Sequence, residues 1–316
     1  MSKIKFVLSL ITSENDYQRE QARAAEAVAH RLQIDLEILY ADNDSVVQSS
    51  QILDAIHKHK ALLSGIIVEP AGGTAFPQVG KAAVSAGIAW VVLNRDASAV
   101  SDLRRAAHSP AFVVTSDHTE VGHIQARQLG AILPSGGSVL CIQGPASTLV
   151  SQQRLAGLQS AKAANITLKL LKSSNWTEEG GYHAVLSWLR LTTSRQQPIH
   201  AVAGQNDLIA LGARRAFEEM KATDGAHAWV NLPFLGVDGL PKTGQVWVTK
   251  GSMAATVVVP PVAGPALELA VEAVLKKTQP SETHFVSAHS FPGVESLRPV
   301  ALPKEPAAES KGAAQK

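Results

Sequence analysis

Short runs of aliphatic and β-branched residues alternate with longer segments of helical period along nearly the whole chain, and this rhythm limits the fold more than any other feature. Residues 5–11, 36–40, 65–68, 90–93 and 112–115 read as strands. Helical segments fall between them at about 16–32, 46–58 and 77–86, the first with Ala22, Ala25, Val28, Ala29 and Leu32 on one face. The rhythm then restarts. Ser116-Asp117 resembles a helix cap for a segment to 133, and strands at 138–142, 166–171, 200–203, 234–237 and 255–259 alternate with helices at 154–163, 178–191 and 208–220. After Pro260-Pro261 a helix runs to about 276, followed by a last strand at 284–288. Strands that are apolar throughout belong to parallel sheets covered by helices on both faces, so the expected class is α/β with doubly wound sheets.

Composition excludes several functions. The 316 residues are 45% hydrophobic and 18% charged, which suits two lobes with buried cores. With 29 basic against 27 acidic side chains, scattered along the chain, no footprint for nucleic acid is present. The single cysteine, Cys141, excludes an internal disulfide and sits on an apolar strand as a packed side chain. No metal site is expected: His57 and His59 point to different helix faces, and the five-residue spacing of His118 and His123 misses a shared face. Gly72-Gly73-Thr74 and Gly136-Gly137-Ser138 lack the spacing and context of a phosphate loop, so no cofactor is expected. The apolar stretch at 4–11 is far shorter than the ~20 residues of a membrane span and reads as a strand, not as a signal peptide. From 299 to 316 a Pro-, Ala- and charge-rich segment without apolar period is expected to be a disordered tail.

In open parallel sheets ligands bind beyond the carboxyl ends of the strands. Polar residues stand there: Asn15 and Tyr17 after the first strand, Glu69, Asn94 with Arg95, Asn206 with Asp207, and Asp238. The ordinary polarity of loops is the alternative for any one of them.

The phrases Asn15-Asp16-Tyr17, Leu93-Asn94-Arg95, Ser116-Asp117-His118 with Gly122, Arg154 with Gly157, Gln205-Asn206-Asp207 with Ala210-Leu211-Gly212-Ala213, and Gly236-Val237-Asp238-Gly239 occur in this order. Together they resemble the type I periplasmic sugar-binding proteins, the ribose-binding family in particular, up to about residue 298. The resemblance implies two similar α/β lobes joined by a three-crossing hinge, with a sugar enclosed between them. It implies an N-terminal lobe of residues 1–116 plus 260–288 and a C-terminal lobe of 117–259 plus 289–298.

Carried over position by position, the resemblance assigns ligand contacts to Asn15, Arg95, Arg154, Asn206 and Asp238, and ring stacking to Tyr17 and Trp176. Carboxylates accept vicinal hydroxyls in pairs and a guanidinium donates a planar pair, so these residue types suit a sugar. Five have a local alternative: Asn206 as a helix cap, Asp238 in a turn beside Gly239, Arg154 as a surface helix charge, Arg95 paired with Asp96 or a neighbouring acid across the cleft, Trp176 as a core or lobe-edge residue. Glu69 stands at an asparagine position, Asn94 at an aspartate position, Val259 at a glutamine position and Gln18 where relatives often have a second aromatic. The expected ligand is therefore a sugar or polyol other than ribose.

The implied function is solute binding without chemistry, by closure of the lobes, with delivery to the membrane component of an ABC-type importer or to a sensor kinase. A monomer in the periplasm or cell envelope is the implied setting. The chain as written carries no export signal, which leaves open a cytoplasmic sugar sensor. A cleft enzyme on the same fold would need a nucleophile with its base, and none is evident.

Overall fold

The computed structural model describes residues 4–59, 62–72, 76–95, 98, 100–106, 109–191, 198–224 and 227–300. The expected disorder at 299–316 lies outside the described residues from 301 onward.

The first half of the chain runs β1 (Lys5–Leu10), α1 (Asp16–Leu32), β2 (Asp35–Tyr40), α2 (Ser45–His59), β3 (Leu63–Val68), α3 (Pro77–Ser85), β4 (Ala89–Leu93), α4 (Ser101–Ala106) and β5 (Ala111–Ser116). It continues as α5 (His118–Ile132), β6 (Gly137–Gln143), α6 (Leu149–Ala161), β7 (Ile166–Lys172), α7 (Glu178–Leu189), β8 (Ala201–Gly204), α8 (Asp207–Asp224), α9 (His227–Val230), β9 (Phe234–Asp238), α10 (Gly244–Thr249) and β10 (Ala255–Val258). Helix α11 (Ala263–Lys276) and strands β11 (Thr283–Val286) and β12 (His289–Phe291) close the fold.

These strands form two six-stranded sheets, β2-β1-β3-β4-β5-β11 and β7-β6-β8-β9-β10-β12. The order is the same in both, but β11 runs parallel to β5 while β12 runs antiparallel to β10. The chain passes from one sheet's lobe to the other between β5 and α5, between β10 and α11, and between β11 and β12.

The two-residue period of a strand sends alternate side chains to opposite faces. Phe6, Leu8 and Leu10 of β1 pack with Ala22 and Ala25 of α1 and with Ala266, Leu267 and Ala270 of α11. Val7 faces the other way, with Ile52 and Ile56 of α2 and Val79 and Ala83 of α3. The second sheet repeats the arrangement. Leu140 and Ile142 pack on α7 and α8 through Val185, Ile209 and Phe217, while Val139 and Cys141 pack on α5 and α6 through Leu129 and Leu158.

Several boundaries differ from the sequence expectation, each for a local reason. Helix α6 begins at Leu149 instead of 154 because Thr148 caps it, its hydroxyl accepting from the Ser151 amide. The last strand ends at Val286 because the next two residues form the third crossing, after which β12 forms by pairing with β10. A three-residue strand has too few side chains to show a period. The short helices α4, α9 and α10 were also outside the sequence reading, at four to six residues each.

Candidate functional site

The carboxyl ends of both sheets face a common cleft. Asn15 caps α1, its Oδ1 accepting from the amides of Tyr17 at 2.8 Å and Gln18 at 3.3 Å. That cap sets the direction of Tyr17, which reaches the opposite lobe. Its ring packs with Val121, Ile124, Val237, Val257 and Val259, and its hydroxyl donates to the Pro260 carbonyl at 3.3 Å. Burial, with the Glu69 and Asp238 carboxylates nearby, pushes the Tyr17 phenol well above its ordinary pKa, so it is a neutral donor. Gln18 turns inward and accepts from the Ile11 amide at 3.0 Å, bracing the loop after β1.

Glu69 follows β3 and is buried. Its Oε1 accepts from Asn94 Nδ2 at 2.9 Å and its Oε2 from Gln21 Nε2 at 3.2 Å, while Gln21 Oε1 accepts from the Ala263 amide at 2.8 Å. Glu69 is thereby engaged by two amides that fix its neighbours. Asn94, just past β4, holds a left-handed backbone at φ 53°, and its Oδ1 is buried without a hydrogen-bond partner among the described residues. Arg95 uses its guanidinium to tie loops together, donating to the carbonyls of Asn94, Pro70 and Gly72, each at 2.8 Å. The alternative partner Asp96 lies outside the described residues.

On the other lobe Arg154 is not a surface charge but is buried, 6% exposed. Its Nη1 donates to the Gln205 carbonyl at 2.6 Å, its Nη2 lies 3.6 Å from Asp238 Oδ1, and its guanidinium stands over the Trp176 ring at 5.7 Å. Its Nε is buried and without a partner among the described residues. Asp238 ends β9 in a strained backbone, φ 104°, a region that side chains other than glycine rarely enter. Burial pushes its carboxyl up to about 6, and Arg154 opposes that rise.

Asp207 holds the strained turn: its Oδ2 accepts from the Gly239 amide at 2.9 Å and its Oδ1 from the Thr256 hydroxyl at 2.6 Å. Burial and the neighbouring Asp238 raise the Asp207 carboxyl well above the usual range. Asn206 acts as a helix cap, Oδ1 accepting from the Ile209 amide at 2.8 Å, while its Nδ2 donates to the Trp176 carbonyl at 2.9 Å and anchors that aromatic.

Both lobes line one small pocket, through Asn15, Asp16 and Tyr17 on one side and Asp207, Asp238, Leu240 and Trp247 on the other. The nine residues expected at the site therefore divide by what they do. Asn94 and Arg154 hold buried polar atoms without a partner among the described residues, Asp238 is half-buried beside Arg154, Tyr17 and Trp176 flank them, and Asn15, Glu69, Arg95 and Asn206 each use side-chain atoms to hold loops or helices. Ser116, His118, Gln205 and Asp207 were not among the nine. Gln205 braces the loop after β6 by accepting from the Gly144 amide and the Ser151 hydroxyl, both at 3.0 Å. All four fall at or just after strand ends, and Asp207 was named there in the sequence, beside Asn206.

Backbone proximity aligns the two elements that carry this chemistry. A Cβ on Gly157 of α6 would lie 2.0 Å from the Thr119 carbonyl of α5, and one on Gly122 would lie 2.2 Å from the Arg154 carbonyl, so this helix pair requires both glycines. Among the described residues no group of three His, Cys, Asp or Glu side chains could hold a metal ion. Burial pushes the Cys141 thiol up to about 12, consistent with packing and not with reactivity. No helix among the described residues is long and apolar enough to cross a membrane.

Two sheets of one strand order, three crossings and a polar cleft at the facing strand ends define the class of two-lobe α/β cleft proteins. A family model described as periplasmic binding protein domain matches residues 6–278, and the chain belongs to that family. Over 189 residues it is 29% identical to a putative rhizopine-binding protein of Rhizobium meliloti, covering 58% of each chain. Over 210 residues it is 29% identical to a D-ribose/D-allose-binding protein of Pseudomonas aeruginosa, covering 66% of this chain and 61% of that one. The chain thus spans about three fifths of the length of these curated relatives. The crystal structure of an ABC transporter periplasmic solute-binding protein from Actinobacillus succinogenes with bound D-allose shares the fold, with TM-score 0.76 and 24% identity over 91% of this chain and 97% of that one.

Proposed function

We propose that this protein binds a small polyhydroxylated ligand, a sugar or polyol, between its lobes and presents the closed form to the membrane component of an ABC-type importer. The observation that carries this reading is the pairing, across one cleft, of buried hydrogen-bonding atoms in reserve: Asn94 Oδ1 from one lobe and Arg154 Nε beside Asp238 from the other. Buried polar atoms without partners cost stability, and vicinal hydroxyls satisfy acceptors and donors together. A ligand touching both lobes shifts the population toward closure by its extra affinity for the closed form, and no bond is made or broken. The named ligands of the relatives, rhizopine, ribose and allose, support this ligand class. Family membership favours a place in the periplasm or cell envelope.

Thermal unfolding in the presence of D-ribose, D-allose and myo-inositol tests the reading. A bound ligand at about 100 times its dissociation constant adds about 2.7 kcal/mol to the folded state. A rise in midpoint with one of them, with a matching calorimetric isotherm, supports the proposal; no response to any sugar or polyol of a wider panel overturns it. Capture of a sensor kinase in place of an importer subunit by the closed form would reassign the partner and leave the ligand class standing.

A further inference from the structure

His118 opens α5 at the first crossing between the lobes, directly after the Asp117 cap. It is 4% exposed, and both of its ring nitrogens are buried without a hydrogen-bond partner among the described residues. Two residues earlier, at the end of β5, the Ser116 hydroxyl oxygen is also buried and unpartnered. Buried imidazoles ordinarily bond at least one nitrogen, because an unsatisfied buried polar group costs the full desolvation of that group. Two such groups at one crossing mark a place where the protein leaves hydrogen bonds to be completed.

The surroundings limit what can complete them. One turn along the same face of α5, Val121 packs into an apolar cluster with Val237, Val257 and Val259, against Tyr17 and Ala288. The second and third crossings pass through this cluster, at Val259 and Ala288, and neither side chain has a polar atom. Burial, and after it the guanidiniums of both lobes, Arg154 and Arg95, hold the His118 ring well below its ordinary pKa and so neutral. Two cations disfavour a metal ion there. A neutral imidazole instead offers one donor and one acceptor on opposite sides of its ring, and a hydroxyl, which can both donate and accept, suits whichever of the two faces it.

Building on the ligand class proposed above, we infer that His118, with Ser116 beside it, is a specificity-determining contact: it hydrogen-bonds the edge of the sugar or polyol that faces the hinge. One ring nitrogen takes a hydroxyl at that edge, and inversion of that hydroxyl breaks the match.

The test compares wild type with His118→Asn and His118→Leu against D-ribose, D-allose and myo-inositol by calorimetry, with 15N-histidine spectra of the wild type. His118→Leu should lose about tenfold or more in affinity for the best of these probes while the unliganded protein unfolds at an equal or higher temperature, since an orphaned polar group has been removed. His118→Asn, which keeps one donor and one acceptor, should change the order of preference among the three. The His118 ring-nitrogen resonances, assigned by their loss in His118→Asn, should shift when the best probe saturates the wild type. Unchanged affinities and order in both variants, or resonances that stay put at saturation, would overturn the contact while leaving sugar binding intact. If the wild type binds none of the wider panel, sugar binding falls and this contact with it. Should His118→Leu fail to fold, His118→Asn and the spectra decide the matter.

Discussion

Asn94 donates its side-chain amide to Glu69 at 2.9 Å, and its own carbonyl oxygen is left as a buried acceptor without a partner among the described residues. The resemblance expects the reverse pair, with asparagine at 69 and aspartate at 94. In this chain the carboxylate stands at 69 and the neutral amide at 94.

That relationship predicts strong coupling between the two positions. Asn94→Asp alone places two carboxylates together in a buried site, and Glu69→Asn alone removes the acceptor that orients Asn94. The double exchange restores a complementary pair, so a double-mutant cycle in chemical denaturation should give a coupling of about 1–3 kcal/mol. Additive single effects would show that the bond does not orient Asn94.

Asp238 makes the unliganded protein pH-sensitive. Its carboxyl is raised from 3.8 to about 6 in the folded state, so the folded protein holds this proton more tightly than the unfolded chain does. The associated stability is full below 3.8 and is lost as pH rises through about 6. Above that range the ionised group costs roughly 3 kcal/mol, from about two units at 1.36 kcal/mol each. Asp238→Asn should thus be more stable than wild type at about pH 7.5, with the gain shrinking toward about pH 4, while sugar affinity drops. Greater stability of the wild type at neutral pH would make the ion pair with Arg154 a net stabiliser.

Arg154 is held by the Gln205 carbonyl and by Asp238, so Arg154→Ala reaches beyond binding. Removing one partner leaves a buried carboxylate uncompensated, at a typical cost of about 3–5 kcal/mol. Adding Asp238→Asn to Arg154→Ala should recover part of that loss in urea unfolding. A double variant as unstable as the sum of its singles would show that the loss lies in packing against Trp176 and not in charge.

Gly157→Ala tests whether helix contact sets the site. The new methyl meets the Thr119 carbonyl, a backbone atom, at 2.0 Å, so α6 must move away from α5. Since Arg154 rides on α6 and Asp117 caps α5, the variant should lose both stability and sugar affinity, the former by about 1–3 kcal/mol. Wild-type affinity in a destabilised variant would separate the helix spacing from the site.

The doubly wound class was legible in the residues because strands such as β4, Ala-Trp-Val-Val-Leu, are apolar on both faces, and only a sheet covered twice by helices can bury such a run. The strand ends that carry polar residues were legible for the same reason, since ligands gather where parallel strands stop. Local capping was also written locally: Asn15, Asp117 and Thr148 each satisfy amides two or three residues ahead.

Tertiary structure decided what these polar residues do. Nothing near Glu69 in sequence shows that Gln21 and Asn94 occupy both its oxygens, or that Arg154 on a helix with scattered polarity is buried against a strand end 84 positions away in Asp238. Ser116 and His118 stood out in the sequence only as part of a shared phrase and beside a helix cap; their buried, unpartnered state could not be read there, because an unpartnered buried atom is defined by what fails to surround it. Periodicity and capping act over a few residues and can be read from order alone. Hydrogen-bond satisfaction in a cleft depends on which distant segments the two sheets bring together, and it exists only once the chain has crossed between them.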